Sequence, residues 1–195
     1  MKIGVIAVQG DFEKHQQVLN RLQIENIPVR TLPQLEQCDA LIIPGGESTT
    51  ILKMFDANRL IKGIRDFAQT KAIMGTCAGL IVLANKVHNP PLQTLQLVNI
   101  ETTRNAYGPQ INSFIDEVNI NLGKQKIAFE GVFIRAPKII KVGEGVQGIG
   151  FHHEDVVVAE NHHILVATFH PELTDDTRIH EYFVKKARNI FNRSN

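Results

Sequence analysis

The first half of the chain alternates between short apolar runs and stretches in which apolar residues recur at helical spacing. Residues 3–8 form an apolar run that ends near Gly10, and Asp11 stands where it can cap a helix that continues to about Leu22. Further strands are predicted at residues 29–32, 40–43 and 72–74. Because these strands alternate with helices, the pattern predicts a parallel sheet covered by helices on both faces.

Two more helices are predicted in this half. One follows the third strand, where Ser48 and Thr49 occupy positions that suit a helix cap. Its apolar residues at helical spacing are Ile51, Leu52, Phe55 and Leu60. The other helix opens near Cys77, directly after the fourth strand.

The second half has a different pattern. Short apolar segments at residues 114–120, 128–134 and 139–142 are broken by Gly and Pro, which predicts antiparallel strands. Residues 156–159 and 164–169 predict a hairpin, and an amphipathic helix closes the chain. The stripe of that helix consists of Ile179, Tyr182, Phe183, Ala187, Ile190 and Phe191. With no repeat, linker or low-complexity stretch, one α/β domain is expected to cover residues 1–195.

Composition narrows the class of protein. The chain has 195 residues, of which 43% are hydrophobic and 21% charged, and its net charge of +1 comes from scattered cations. These values are ordinary for a globular protein and give no basic patch for nucleic acid. No apolar run approaches the ~20 residues that a membrane span needs, so no membrane partner is expected. Two cysteines, Cys38 and Cys77, allow at most one disulfide, which suits the reducing cytosol and predicts a cytoplasmic protein.

The sharpest local signal surrounds Cys77. Residues 75–79 read Gly-Thr-Cys-Ala-Gly between an apolar strand and an apolar helix, the cysteine counterpart of a nucleophile elbow. At a helix N-terminus, unpaired N–H groups and the helix dipole favour a thiolate. The alternative is a small buried cysteine in a turn bounded by glycines. Cys38, just before the third strand, is expected to be an inert thiol at the edge of the core.

A base for this thiol is predicted at the end of a strand, where residues 169–172 read Phe-His-Pro-Glu. A nucleophilic cysteine needs a base, and the base needs an orienting partner. Side chains two apart on an extended segment point the same way, so Glu172 is expected beside the His170 ring. Taken alone, such a pair is more often a surface histidine and glutamate, and its combination with Cys77 favours a catalytic role.

The loop at residues 44–49 reads Pro-Gly-Gly-Glu-Ser-Thr and follows the third strand. Glycines there let main-chain N–H groups turn toward a ligand. We expect the amides of Gly45, Gly46 and Ala78 to hold the oxyanion of a tetrahedral intermediate, at ~3 kcal/mol per donor. The alternative is a plain strand-to-helix turn with a Ser or Thr cap.

An elbow cysteine followed far downstream by His-Pro-Glu resembles the class I, or triad, glutamine amidotransferases. Within that class, five segments resemble the glutaminase subunit of the ribose-5-phosphate-dependent pyridoxal 5′-phosphate synthase. They lie at residues 4–11, 44–50, 104–108, 133–137 and 169–173. The resemblance runs from the first strand to the final helix, in order and without large gaps. It implies a three-layer, flavodoxin-like class I glutamine amidotransferase fold, with a mostly parallel central sheet and an antiparallel extension in the second half.

The resemblance also implies a site, residue by residue. Its catalytic triad falls on Cys77, His170 and Glu172. Its glutamine-binding positions fall on Gly46, Glu47, Ser48, Arg104, Ile134 and Arg135. An Arg fork suits the α-carboxylate of a free amino acid, which favours Arg104 for that contact. Alternatively, Arg104 is an exposed loop cation, and Arg135 forms a structural ion pair or contributes its backbone rather than its guanidinium.

The implied reaction is hydrolysis of L-glutamine to glutamate and ammonia, without a cofactor or metal. The implied partner is the synthase subunit that joins ribose 5-phosphate and glyceraldehyde 3-phosphate into pyridoxal 5′-phosphate, in a dodecameric core with glutaminases docked outside. Pro109 and Ile115 depart from the family pattern, where a basic and an acidic residue are expected, which leaves the contact of that loop with a partner open. A metal site at residues 152–155 with His162 and His163 is not expected, because adjacent histidines on a strand face opposite ways.

Two other functions remain possible from sequence. A glutaminase subunit of another pathway, such as imidazole-glycerol-phosphate synthase, shares the triad, but the segments that begin at Gly4, Arg104 and Phe133 favour the first assignment. A non-enzymatic binding or regulatory protein can adopt the same fold, because fold alone does not fix function. The complete set of triad residues argues against this second alternative.

Overall fold

The computed structural model of the chain describes residues 1–104 and 113–194. The strands are β1 (Lys2–Ile6), β2 (Glu25–Val29), β3 (Ala40–Ile43), β4 (Ala72–Thr76), β5 (Ala84–His88), β6 (Val98–Thr103), β7 (Ser113–Leu122), β8 (Gln125–Ile134), β9 (Lys138–Val142), β10 (Gln147–His152), β11 (Asp155–Glu160) and β12 (Ile164–Ala167). The helices are α1 (Phe12–Arg21), α2 (Leu32–Glu36), α3 (Ser48–Ala57), α4 (Leu60–Phe67), α5 (Ala78–Leu83) and α6 (Arg178–Ser194), and a 3-10 turn spans Pro171–Leu173.

The main sheet has nine strands in the order β2-β1-β3-β4-β12-β11-β10-β7-β8. The pairings from β2 through β12 are parallel, and those from β12 through β8 are antiparallel. A separate sheet joins β5, β6 and β9. The predicted parallel sheet with an antiparallel extension in the second half is therefore confirmed.

Helices cover both faces of the main sheet. In β3, Ala40 and Ile42 belong to one buried cluster, while Leu41 and Ile43 belong to the other, as the two-residue period of a strand requires. The first cluster contains apolar residues of α1 and α6, and the second contains those of α2, α3, α4 and α5. The predicted three layers are thus present, and the inner strands β3, β4 and β12 are buried on both sides.

Several element boundaries differ from the prediction. The second strand lies at Glu25–Val29 rather than at residues 29–32, because Thr31 and Gln34 form a capping box and Pro33 stands in the first turn of α2. The helix after β3 is two helices, separated at Arg59, whose φ of 56° is left-handed. Strands β5, β6 and β10 and helix α2 were not predicted as elements.

The departure at Ile115 leaves the strand ladder intact. Ile115 is 62% exposed on β7 and faces Val132 in an unbroken register with β8. Pro109 and most of the segment at residues 104–108 lie outside the described residues. Within the described ranges, none of the helices combines the length and the apolar character that crossing a membrane requires.

Candidate active site

The predicted site residues meet at one edge of the parallel sheet. The loop with Gly45 and Gly46 follows β3, Cys77 follows β4, and His170 lies shortly after β12. Since β3, β4 and β12 are parallel neighbours, their carboxyl ends adjoin. Ligand sites of open α/β sheets lie outside these ends.

Cys77 occupies a sharp turn between β4 and α5. Its φ of 48° and ψ of −105° are strained for a residue with a side chain, as is common at catalytic positions. A Cβ atom on Gly79 would lie 2.0 Å from the carbonyl oxygen of Ile43, and one on Gly75 would lie 2.8 Å from the Gly79 backbone. Both flanking glycines are therefore required by close backbone approach, as expected for an elbow.

His170 and Glu172 form a buried pair. Nδ1 of His170 lies 2.7 Å from Oε1 of Glu172, and their side chains are 5% and 0% exposed. A surface pair is thereby excluded. Glu172 lies in the 3-10 turn rather than on an extended strand, so the predicted contact exists but through a different backbone geometry.

The pKa of His170 depends on Cys77 as well as on Glu172. Burial lowers the pKa of His170, but hydrogen bonds with Cys77 and Glu172 and the negative charges of both outweigh it and raise that pKa to about 10. Burial raises the pKa of Glu172, but the proximity of His15 and the hydrogen bond with His170 outweigh it and hold that pKa well below its usual range. At neutral pH, His170 is therefore an imidazolium hydrogen-bonded to an ionised Glu172.

The loop after β3 packs directly against His170. A Cβ atom on Gly45 would lie 2.3 Å from Cε1 of His170, so only glycine fits there without displacing the ring. Gly46 has a φ of 148° and lies against the Gln9 side chain, whose Oε1 accepts from the Glu47 N–H at 2.8 Å. Ala78, the third predicted oxyanion donor, is buried at the start of α5.

Glu47, rather than Ser48 or Thr49, caps α3. Its carboxylate accepts the amide hydrogens of Thr49 and Thr50 at 3.1 and 2.7 Å. Slight burial raises its pKa, but the bonds from these two threonines outweigh it and lower that pKa to about 2. A negative charge thus stays beside the candidate pocket.

Arg104 reaches this loop from the end of β6. Its Nη1 lies 3.5 Å from Oγ of Ser48 and 4.0 Å from Oε1 of Glu47. Its buried Nε has no hydrogen-bond partner among the described residues, which leaves a donor for a ligand. These contacts place Arg104 beside the predicted glutamine loop rather than in open solvent.

Ile134 and Arg135 lie on the other side of Cys77. Sγ of Cys77 is 3.8 Å from the carbonyl oxygen of Ile134, the last residue of β8. Arg135 has a left-handed φ of 44°, and its exposed side chain makes no ion pair with any residue in the described ranges. The backbone of this turn therefore faces the thiol, and the structural ion pair is not observed.

Two histidines behind Glu172 were missed. His15 on α1 and His180 on α6 are both fully buried, and Nε2 of His15 lies 3.4 Å from Oε2 of Glu172. Each stands on the apolar stripe of its helix, His15 three residues before Val18 and His180 three residues before Phe183. A histidine on a core-facing stripe was the available signal.

The histidine-rich segment brings together a group that sequence reasoning did not consider. Asp116, His152 and His153 each offer one ligand atom within 4.8 Å of the others. The two rings are 4.4 Å apart because His153 has a φ of 52°, so the expectation that adjacent histidines face opposite ways is wrong here. Nε2 of His152 is already 3.0 Å from Oδ2 of Asp116, a pairing that needs no metal.

The chain is similar to known proteins over nearly its full length. A model of the SNO glutamine amidotransferase family matches residues 5–189. The pyridoxal 5′-phosphate synthase subunit PdxT of Koribacter versatilis is 46% identical over 192 residues, which cover 97% of this chain and 97% of the relative. The subunit PdxT of Oenococcus oeni is 44% identical over 185 residues, which cover 95% of this chain and 96% of the relative.

The fold is also similar to that of solved structures. One described as a glutamine amidotransferase is 40% identical, with a TM-score of 0.89 over 95% of this chain and 98% of that chain. A chain of PurLQS from Thermotoga maritima, at 16% identity and a TM-score of 0.67, shares the fold alone; the match covers 98% of that chain and 100% of this one. With both the fold and nearly the whole sequence matched, the protein belongs to the SNO glutamine amidotransferase family.

Proposed function

We propose that the protein hydrolyses L-glutamine to glutamate and ammonia, with Cys77 as nucleophile, His170 as acid and base, and Glu172 as the group that orients His170. The observation that carries the proposal is the buried His170–Glu172 contact of 2.7 Å beside a cysteine in a strained elbow. Such a constellation of nucleophile, base and orienting group is how triads are recognised on unrelated chains.

The first half-reaction forms a glutamyl thioester. The Cys77 thiolate attacks the side-chain carbonyl carbon of glutamine, and the oxyanion is held by the amides of Gly45, Gly46 and Ala78. His170 donates its proton to the amide nitrogen as the C–N bond breaks, and ammonia leaves. The raised pKa of His170 supports this role, because it keeps the ring protonated at neutral pH.

The second half-reaction releases glutamate. His170, now neutral, accepts a proton from water while the hydroxide attacks the thioester carbonyl, and collapse of the second tetrahedral intermediate frees the Cys77 thiolate. Glu172 stays ionised in both steps and stabilises the imidazolium that re-forms. No cofactor or metal enters these steps.

The pocket proposed for glutamine uses the loop at residues 46–48 and Arg104. The unpartnered Nε of Arg104 and its contact with Ser48 support a guanidinium that binds the α-carboxylate. Glu47 supplies a negative charge that suits the α-ammonium group. The backbone of Ile134 and Arg135 closes the pocket beside Cys77.

We further propose that the ammonia passes to a pyridoxal 5′-phosphate synthase subunit in a heteromeric complex. The names of the curated relatives support this partner. Free ammonia at neutral pH is mostly ammonium, a poor nucleophile, so direct delivery suits a glutaminase. A dodecameric synthase core with docked glutaminases is the assembly we expect.

The test is glutamate release with three preparations: the protein by itself, with the pyridoxal 5′-phosphate synthase subunit, and with the imidazole-glycerol-phosphate synthase partner. We expect the fastest release with the first partner. Stimulation by the second partner instead would assign the protein to the other pathway. No release in any preparation would favour a non-enzymatic binding protein.

A further inference from the structure

The two buried histidines described above form a continuous polar contact with the candidate triad. Nδ1 of His15 lies 3.0 Å from Nε2 of His180, and Nε2 of His15 lies 3.2 Å from Oγ1 of Thr76. The same Nε2 is 3.4 Å from Oε2 of Glu172. A polar chain thus runs from α6 through α1 to Glu172, on the side of the carboxylate that faces away from His170.

The carboxylate of Glu172 needs this contact. Oε1 accepts from His170, but Oε2 is buried and has no well-aligned hydrogen bond to any described residue. A buried charged oxygen without a donor is costly, so a donor near it has a large effect on where the carboxylate sits. At 3.4 Å the His15 contact is long, and catalytic hydrogen bonds often shorten only when substrate is bound.

The chemistry of Glu172, His15 and His180 determines which imidazole nitrogens carry protons. A carboxylate only accepts, so a bond to Glu172 requires the proton of His15 on Nε2. Nδ1 of a neutral His15 then accepts from Nε2–H of His180. The remaining Nδ1 of His180 is left without a proton, which agrees with its having no hydrogen-bond partner among the described residues.

We propose that His15 and His180 are positioning residues of the glutaminase: a buried imidazole pair that donates to Oε2 of Glu172 and holds the carboxylate ionised and directed at His170. The proposal rests on the proposed function of the triad and adds two residues to it. Neither histidine touches glutamine or the reacting atoms.

The charges around Glu172 support this direction of donation. Among the described residues, Asp11, His15 and His170 lie near the carboxylate, and His180 contacts His15. The charged residues that line the same cavity as Glu172 are Lys14, Arg21, Glu130 and Asp175. Burial lowers the pKa of His180, which therefore stays neutral. Hydrogen bonding to the ionised form lowers a carboxyl pKa, so loss of the His15 donor raises that of Glu172.

Two variants of His15 separate positioning from packing. His15→Gln keeps an amide donor near the place of Nε2, whereas His15→Leu is of similar size and has none. In the complex with the synthase subunit, we expect His15→Leu to lower kcat by about 10- to 100-fold, the usual effect of losing an orienting partner, without changing KM. As pH is lowered, kcat/KM of His15→Leu should begin to fall at a higher pH than kcat/KM of the wild type, because the pKa of Glu172 is raised. His15→Gln should restore most of the lost kcat and most of the wild-type pH profile.

Val18→Ala is the matched control, because Val18 is buried one turn further along α1 and its side chain has no polar atom. It should lose stability in thermal unfolding while keeping kcat. A kcat for His15→Leu equal to the wild type would overturn the proposal. So would equal losses in His15→Leu and His15→Gln, because packing alone would then explain them.

A second measurement needs neither turnover nor a variant. In the wild-type protein with 15N-labelled histidine, NMR at neutral pH should find the protons of His15 and His180 on Nε2. A proton on Nδ1 of His180, with Nε2 of His180 accepting from His15, would reverse the direction of hydrogen-bond donation and overturn the proposal. If Cys77→Ala retained glutaminase activity, the proposed triad would fail while the proton positions of the histidine pair stood on their own.

Discussion

Cys77 and Cys38 are both buried thiols, but their surroundings differ in kind. Sγ of Cys38 is fully buried and bonds to the carbonyl oxygen of Gln34 at 3.2 Å. Burial raises the pKa of Cys38 to about 11 although the charges of Lys71 and Lys2 lower it, so this thiol is unreactive at neutral pH. Cys77 instead lies beside His170, and its contact contributes to raising the pKa of that imidazole to about 10.

The first prediction compares the two thiols. Cys77→Ala should abolish glutamate release and leave the fold intact, because the nucleophile is lost and a smaller side chain still fits the elbow. Cys38→Ala should keep activity near the wild-type level. Steady-state glutamate release and thermal unfolding of both variants provide the check, and loss of activity in Cys38→Ala would show that the wrong thiol was assigned.

The second prediction concerns Arg104. Arg104→Ala should raise KM for glutamine more than it lowers kcat, because a contact to the α-carboxylate is equal in the ground and transition states. The control is Arg65→Ala, since Arg65 donates to the carbonyl oxygens of Thr94 and Leu95 and lies outside the proposed pocket. An unchanged KM in Arg104→Ala would remove this residue from the pocket.

The single residues that could be identified from the sequence were those that lie in a local sequence pattern. Glycines around Cys77 and the His-Pro-Glu run are visible in a window of a few residues, and the strand order brings them together. His15 and His180 carry no such pattern, because a histidine on an apolar helix stripe looks like any core position. Their 3.0 Å contact joins positions 165 residues apart and forms only because α1 and α6 pack on the same face.

Among elements, the turn from β4 to α5 combines two constraints. Gly79 lets the start of α5 approach the Ile43 carbonyl, and the backbone at Cys77 is forced into a left-handed φ of 48°. The strain raises the side chain out of the turn toward His170. Stability is thus given up at the elbow for the position of the thiol.

The third prediction measures this strain. Cys77→Gly should be more stable than Cys77→Ala by about 1 kcal/mol, because glycine adopts a positive φ without strain while alanine does not. Both variants lack the thiol, so the comparison isolates the backbone. Urea unfolding at neutral pH provides the check, and an alanine variant as stable as the glycine variant would show that the elbow is relaxed.

The elements that sequence missed have physical reasons. In β5, two exposed residues stand side by side and break the two-residue period. In β6, burial alternates but the buried position Thr102 is polar, so the apolar pattern ends after Ile100. The break between α3 and α4 falls at Arg59, which is left-handed without being glycine. The long alternation of strands and helices in the first half was predictable, because each buried strand of a parallel sheet is a continuous apolar run.

On the scale of the whole molecule, the two loops beside the site are joined. The Gly10 turn after β1 has a φ of 92°, and a Cβ atom there would lie 1.8 Å from the Gly45 carbonyl oxygen. Gln9 accepts from the Glu47 amide at 2.8 Å. Both loops lie at the carboxyl edge of the sheet, which is the surface where we expect the synthase to dock. A partner that moves one loop therefore moves the other.

The fourth prediction follows from this coupling. A glutaminase that was always assembled would release ammonia uselessly, so we expect the oxyanion amides of the loop after β3 to be misaligned until the synthase docks. Glycines at these turns let a peptide rotate at little cost. Since one aligned donor is worth ~10²–10³ in rate, the free protein should be slower by tens of fold or more.

The measurement is steady-state glutamate release by the free protein and by the protein with saturating pyridoxal 5′-phosphate synthase subunit, with Cys77→Ala as the background. The imidazole-glycerol-phosphate synthase partner serves as the mismatched control. Equal rates with and without the matched synthase would contradict the coupling and leave a constitutive glutaminase, in which the bond between Gln9 and Glu47 has a structural role alone.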